Sequence, residues 1–300
     1  MRIAGPPVAQ LPSGSADLWD LCTTGPDLAA ARDDVAFGAS WSARWTATWR
    51  RAGVDVVSPV RDLGSVPLQG WEPVRRFAWR AGQRHRPGLQ YLVSTGRHHG
   101  FERIAEQRLL LALDFAAAVV ELFSQPFRLR YTTTQAGWRE HIPDFLAATT
   151  TGPLLVDVRP AGRIGGEDRV AFAATAEAAE AALVAGWRYL VVTGWRAHVT
   201  ATLDTLSSAR RPLQDPTGLE PQLLAAASGG PLPFGGLVAA TRLPMVARAH
   251  ALHLIWHRRL GIVASDASAG GSACPPWADL RLGQVKRLTI SVYLLHLMQH

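Results

Sequence analysis

The chain has 300 residues, 48% of them hydrophobic and 18% charged, which is ample for a packed core and fits one large domain or two to three small ones. Its net charge of +7 and pI near 10.3 favour a polyanionic partner. Two cysteines, Cys22 and Cys274, exclude a disulfide framework or a Cys-rich zinc centre and fit a reducing, bacterial cytoplasm. The longest apolar run is interrupted by Asp114 and Glu121, so no membrane-spanning helix is expected, and Met1–Pro7 lacks the apolar centre of a secretory signal.

Residues 1–36 are rich in Pro, Gly, Ser and Asp and read as a loose lead. Trp41, Trp45 and Trp49 recur every four residues, which predicts one core-packing face of a short helix. Between Trp71 and His99 stand six arginines (Arg75, Arg76, Arg80, Arg84, Arg86 and Arg97) against one acid, Glu72, with Phe77, Trp79 and Tyr91 among them. Arginines interleaved with aromatics suit phosphate contact and base stacking, so residues 1–99 are expected to form an N-terminal Trp/Arg-rich region that touches DNA.

Next come a helix over 101–114 and a strand over 119–130, which Gln125-Pro126 can break. Strands over 140–148 and 153–159 form a hairpin turned by Thr149–Gly152. Ala171–Ala185 has high helix propensity and ends at Gly186, and Arg188–Thr193 reads as a buried strand. Beyond it, Leu203–Arg210 and Pro221–Ala227 read as helices. Phe234–Thr241 with Pro244–Leu260 reads as a helix-turn-helix whose second helix carries Arg248, Arg258 and Arg259. His250, His253 and His257 share a face of that helix and read as packing or DNA-facing residues. Gly162–Gly166 reads as a connector in which Arg163 reaches the DNA backbone. Ala267–Pro276 reads as a linker and Trp277–His300 as a terminal helix in a divergent tail, to which no function is assigned.

Within this order, one set of acids carries chemistry. Glu106 lies on the first helix, with Glu102 one turn earlier as the runner-up. Asp144 lies at a Pro-Asp step, and Asp157 lies on the next strand, two residues before Arg159 and facing the same side. Three carboxylates from a helix and two strands can converge on a hard divalent cation, which prefers oxygen ligands and can activate water for phosphodiester cleavage.

The pattern Glu106, Pro143-Asp144, Asp157-Val158-Arg159 resembles the PD-(D/E)xK nuclease superfamily. The runs Phe101–Phe115 and Ser124–Phe127 resemble, more narrowly, TnsA-like endonuclease subunits of heteromeric transposases, over roughly residues 70 to 262. The resemblance implies an α/β fold: a restriction-endonuclease-like αβββαβ core at 100–199, a C-terminal helical, winged-helix-like domain at 200–264, and the tail at 265–300. It implies that Glu106, Asp144 and Asp157 bind Mg²⁺ or Mn²⁺ and that Arg159 stands in the usual lysine slot. Arg stays protonated and cannot act as a base, although it can stabilise phosphate charge. Of the 31 Lys and Arg residues Lys286 is the only lysine, which leaves 30 arginines, so the swap also follows a general bias towards Arg. The implied partners are double-stranded DNA cut at transposon ends on the non-transferred strand, a DDE transposase subunit, and a regulatory AAA+ ATPase. Two other readings stay open on the same residues: a nuclease fold without catalysis, serving as a DNA-binding scaffold, and a stand-alone defence or repair nuclease.

Overall fold

The computed structural model describes residues 18–75, 87–116, 119–196, 199–230, 232–264 and 290–294, and the chain divides into two compact units, Leu21–Arg196 and Ala197–His300 together with residues 1–20. Arg76, Arg80, Arg84 and Arg86, the linker-like Ala267–Pro276 and most of the tail lie outside the described residues.

A short helix α1 (Leu18–Leu21) leads into strand β1 (Cys22–Thr24). Two single-turn helices follow, α2 (Ala29–Arg32) and α3 (Trp41–Arg44), and then a hairpin of β2 (Thr46–Arg51) and β3 (Val54–Pro59). The tryptophan repeat is therefore not one helical face. Trp41 lies in α3, Trp45 sits at its extended C-cap, and Trp49 lies on β2. The expected core role stands: Trp45 and Trp49 are wholly buried, and Trp49 packs 4.7 Å, ring to ring, from Phe127. A four-residue spacing looks helical only while the backbone stays helical, and here the chain becomes extended at Trp45.

A second hairpin, β4 (Gly88–Leu92) and β5 (Arg97–Phe101), precedes helix α4 (Ile104–Ala116). Buried Asp114 accepts the backbone N–H groups of Val93 and Ser94 and so fastens the hairpin turn to α4. The expected strand at 119–130 is two strands, β6 (Val119–Ser124) and β7 (Phe127–Thr133), and the expected strand at 140–148 is likewise two, β8 (Gly137–His141) and β9 (Phe145–Thr149). Strand β10 (Gly152–Val158), helix α5 (Gly166–Ala181) and strand β11 (Arg188–Trp195) complete the unit.

These strands form a five-stranded sheet in the order β1-β11-β10-β9-β6 and a four-stranded sheet in the order β3-β2-β7-β8. Within the first, β10 and β11 run parallel across the α5 crossover, and the other neighbours are antiparallel. The double break has one cause. The two-stranded ribbon leaves the first sheet as β6 and β9, turns a corner, and enters the second as β7 and β8. Pro126 cannot donate to a ladder, Gln125 adopts a left-handed φ of 48°, and the Gln125 N–H bonds the Asp144 carbonyl at 2.8 Å across the corner. Because β2 pairs with β7, residues 21–99 share one compact unit with residues 100–196.

The core lies between sheet and helix. Phe127, Leu129, Leu146, Leu155 and Trp187 meet Ala171, Ala174 and Ala178, and the alanines let α5 lie close to the strands. At the β9–β10 turn only glycine fits: Gly152 has φ +113°, and a Cβ there would stand 2.6 Å from the Gly186 carbonyl oxygen.

The second unit holds α6 (Val199–Ser207), α7 (Leu219–Ser228), α8 (Phe234–Ala239) and α9 (Pro244–Trp256), followed by the antiparallel pair β12 (Leu260–Ala264) and β13 (Ile290–Leu294). Two expectations are corrected here. The last helix ends at Trp256, so Arg258, with φ 56°, and Arg259 lie beyond it, and residues 290–294 form a strand rather than part of a terminal helix. No helix among the described residues is long and apolar enough to cross a membrane.

Candidate functional site

The ribbon corner creates the local conditions of the site. The last pair of the β10–β9 ladder is Val156 with Phe145, so the Val158 N–H passes beyond the end of β9. The Asp144 carboxylate, at the corner, takes that N–H at 2.7 Å. A Pro-Asp step suits the position: Pro143 and Asp144 belong to neither strand, so their backbone is free of ladder geometry.

Asp157 lies on β10, 2% exposed. Both its carboxylate oxygens stand 3.0 Å from His141 Nε2, and the Tyr189 hydroxyl donates to Oδ2 at 2.7 Å. His141 ends β8 just before the corner, and Tyr189 sits on β11 opposite Leu155, which shares a face with Asp157. Unbroken strand alternation would put His141, three residues before Asp144, on the sheet face opposite it. The corner at 142–144 breaks that alternation and turns the imidazole onto Asp157. Tyr189 is absent from the sequence reading altogether; its signal is period-two spacing on a strand whose parallel pairing only the fold reveals.

Glu106 lies in the first turn of α4, 4% exposed, and accepts the backbone N–H of Glu102 at 2.6 Å. Glu102 turns outward to an ion pair with Arg75, so the runner-up lies on the surface while Glu106 is buried. Part of the work of Glu106 is thus local, since a carboxylate at this position satisfies donors that a helix start leaves unpaired.

Asp144 feels the charges of the other two carboxylates. Burial pushes the Asp144 carboxyl well above the usual carboxylate range, and the charges of Asp157 and Glu106 push it further; the Val158 N–H and the Arg103 cation act in the opposite direction. Burial likewise raises Glu106, against the N–H groups of Glu102 and Arg103 and the Arg103 charge. Burial, then the Asp157 charge and hydrogen bond, hold the Tyr189 phenol protonated far into the alkaline range. Crowded carboxylates of this kind are the electrostatic setting that a dication relieves, and an all-oxygen set suits Mg²⁺ or Mn²⁺. Among the described residues, however, no three or more His, Cys, Asp or Glu side chains are already disposed around one ion.

Arg159 is engaged elsewhere. Its guanidinium bonds Asp168 at 3.2 Å, and its Nε donates to the Arg163 carbonyl at 3.4 Å. Asp168 also accepts the Gly165 N–H at 2.9 Å, so the pair fastens the 160–165 loop to the start of α5.

Four of the expected DNA-contacting arginines lie among the described residues. Arg75 pairs with Glu102 and Arg97 with Glu121, Arg163 is exposed beside α5, and Arg248 lies on α9 in the other unit, 5.4 Å from the Phe234 ring. The three histidines expected on one helical face bond within their own unit: His253 on α9 and His257 at its C-cap bond the carbonyls of Ala209 and Arg210, and buried His250 lies between Asp215 and Glu220. No protein-family model matches this sequence, and no curated protein matches it.

Proposed function

We propose that the unit Leu21–Arg196 is a metal-dependent DNA endonuclease with a restriction-endonuclease-like core. The observation that carries this reading is the crowding of Asp144 by Asp157 and Glu106, three acids drawn from α4, the ribbon corner and β10. The order α4, β6, β9, β10, α5, β11, with the corner hairpin inserted, supports an αβββαβ core. Asp144, Asp157 and Glu106 would hold Mg²⁺ or Mn²⁺; when bound, such an ion supplies an acidified water and positive charge for phosphodiester hydrolysis. Asp144 contributes a carboxylate fixed by the Val158 N–H, and Tyr189 and His141 fix the orientation of Asp157. The basic composition suits a DNA substrate. The finer assignment follows the sequence resemblance: a TnsA-like subunit cutting transposon ends, acting in the cytoplasm with a DDE transposase and an AAA+ ATPase.

Titration calorimetry with Mn²⁺ and Mg²⁺ on the unmutated chain and on Asp144→Ala tests the site without partners. Binding by the former and loss in the latter is the expected result; equal binding by both would remove Asp144 from the site. A second reading, a nuclease fold serving as a non-catalytic DNA-binding subunit, is favoured by one specific arrangement: Asp157 is already bonded by His141 and Tyr189, and Arg159 by Asp168. DNA retardation that persists without metal, and without the three acids, would select it.

A further inference from the structure

A phosphodiester held at these carboxylates needs a cation that is free to meet it. Arg159, which the sequence pattern nominates, spends its guanidinium on Asp168 and on the Arg163 carbonyl, tying down the start of α5. Removing it from there would leave Asp168 with the Gly165 N–H alone. Arg163 is exposed on the loop beyond. Arg103 stands differently. It immediately precedes α4, three residues before Glu106, and holds the N-cap position, where the Gln107 N–H bonds its carbonyl at 3.1 Å. Its side chain is half-buried and joins no ion pair among the described residues.

Resting on the nuclease reading, we propose that Arg103, and not Arg159, is the residue that contacts the DNA phosphate at the Asp144–Asp157–Glu106 site. The guanidinium fork suits two phosphate oxygens, and Arg103 stands at the N-cap of the helix that carries Glu106 in its first turn. The influence of the Arg103 charge on both Asp144 and Glu106 agrees with this placement.

The test uses the full chain and four proteins: unmutated, Arg103→Ala, Arg103→Lys and Arg159→Ala. Binding to a short DNA duplex is measured in Ca²⁺ across a salt series, and nicking is measured in Mg²⁺ and Mn²⁺. Loss of one phosphate contact lowers the slope of log affinity against log salt by about 0.9. That drop is expected in Arg103→Ala and not in Arg159→Ala, with the slope restored in Arg103→Lys. Nicking by Arg103→Ala is expected to fall by roughly 10²–10³-fold, as for the loss of one transition-state donor, with Mn²⁺ affinity retained. An Arg103→Ala protein with the unmutated slope and the unmutated nicking rate overturns the proposal, as does a slope that falls in Arg159→Ala instead. If the unmutated chain binds DNA and cuts none, the nuclease reading fails, while the salt slopes still decide Arg103.

Discussion

Two acidic neighbourhoods, one in each unit, use the same residue types to opposite effect. At the ribbon corner, burial and then the charges of Asp157 and Glu106 force Asp144 towards its protonated form. In the helical unit Asp215 lies beside Glu220 and His250, yet its carboxyl is held below the usual value. Burial alone would raise it, but the N–H groups of Leu219 and Glu220, each at 2.8 Å, outweigh that and are joined by His250. Glu220 in turn is matched by Arg259 at 2.6 Å. One neighbourhood is a helix start with its donors satisfied; in the other, burial and two neighbouring charges outweigh the Val158 N–H and the Arg103 cation at Asp144. Acid content alone does not distinguish the two; the donors and charges facing each carboxylate do.

The largest expected effect comes from breaking the corner itself. Phe127 follows Gln125-Pro126, is wholly buried, and packs between Trp49 and Trp187. Phe127→Ala should cost about 3–5 kcal/mol of stability in urea denaturation. Because the same corner carries Asp144, Mn²⁺ affinity should fall even in conditions where the variant is fully folded. An unchanged affinity would show that the carboxylates are placed independently of the corner.

Next in size is the support of Asp157. Tyr189→Phe removes the hydroxyl donor and leaves a buried carboxylate with one fewer partner, at an expected cost of about 1.5–3 kcal/mol. A variant as stable as the unmutated chain would mean that the hydroxyl merely fills space.

The contrast predicts opposite pH slopes. Asp144 has a folded-state pKa above its unfolded value near 3.8, so the folded chain binds more protons and its contribution to stability is lost as pH rises from about 4 through the raised value. Asp215 has a folded pKa below 3.8, so its contribution is present above that pH and is lost as pH falls through the lowered value. Urea midpoints across pH should therefore show Asp144→Asn flattening the neutral-side decline and Asp215→Asn flattening the acid-side one. The same direction of change in both variants would abolish the distinction between the two neighbourhoods.

How much of this was readable beforehand depends on whether the cause is local. The helix expected over Ala171–Ala185 is found as α5, which runs Gly166–Ala181, with Gly186 closing a separate 3-10 turn at Leu183–Ala185; helix propensity and the left-handed glycines Gly152 and Gly186 are encoded within a few residues. The acids Glu106, Asp144 and Asp157 were nominated from spacing and resemblance. Their partners were not, because His141 reaches Asp157 only through the corner and Tyr189 only through the parallel β10–β11 register. The tryptophan repeat misled for the converse reason: its period is helical, but β2 pairs with β7 from 80 residues later in the chain, and that pairing overrides local preference.

Arg159 gives the smallest predicted effect and the sharpest test of the comparison. In the sequence it stands two residues beyond Asp157 on what reads as one strand, so both side chains should face one way. The strand ends at Val158, however, and the guanidinium turns to Asp168. That pair is partly exposed, at 29% and 27% of the side-chain surfaces, so solvent screens it and Arg159→Ala should cost only about 0.5–1 kcal/mol. If Arg159 is a clamp on the α5 start, the cost should vanish in a double variant with Asp168→Ala, because the interaction is then already gone. If it instead serves the carboxylate cluster, its removal would leave Asp144 more strongly crowded, and the neutral-side decline in stability would steepen. The first outcome places Arg159 with the satisfied ion pairs such as Arg259–Glu220; the second would return it to the site.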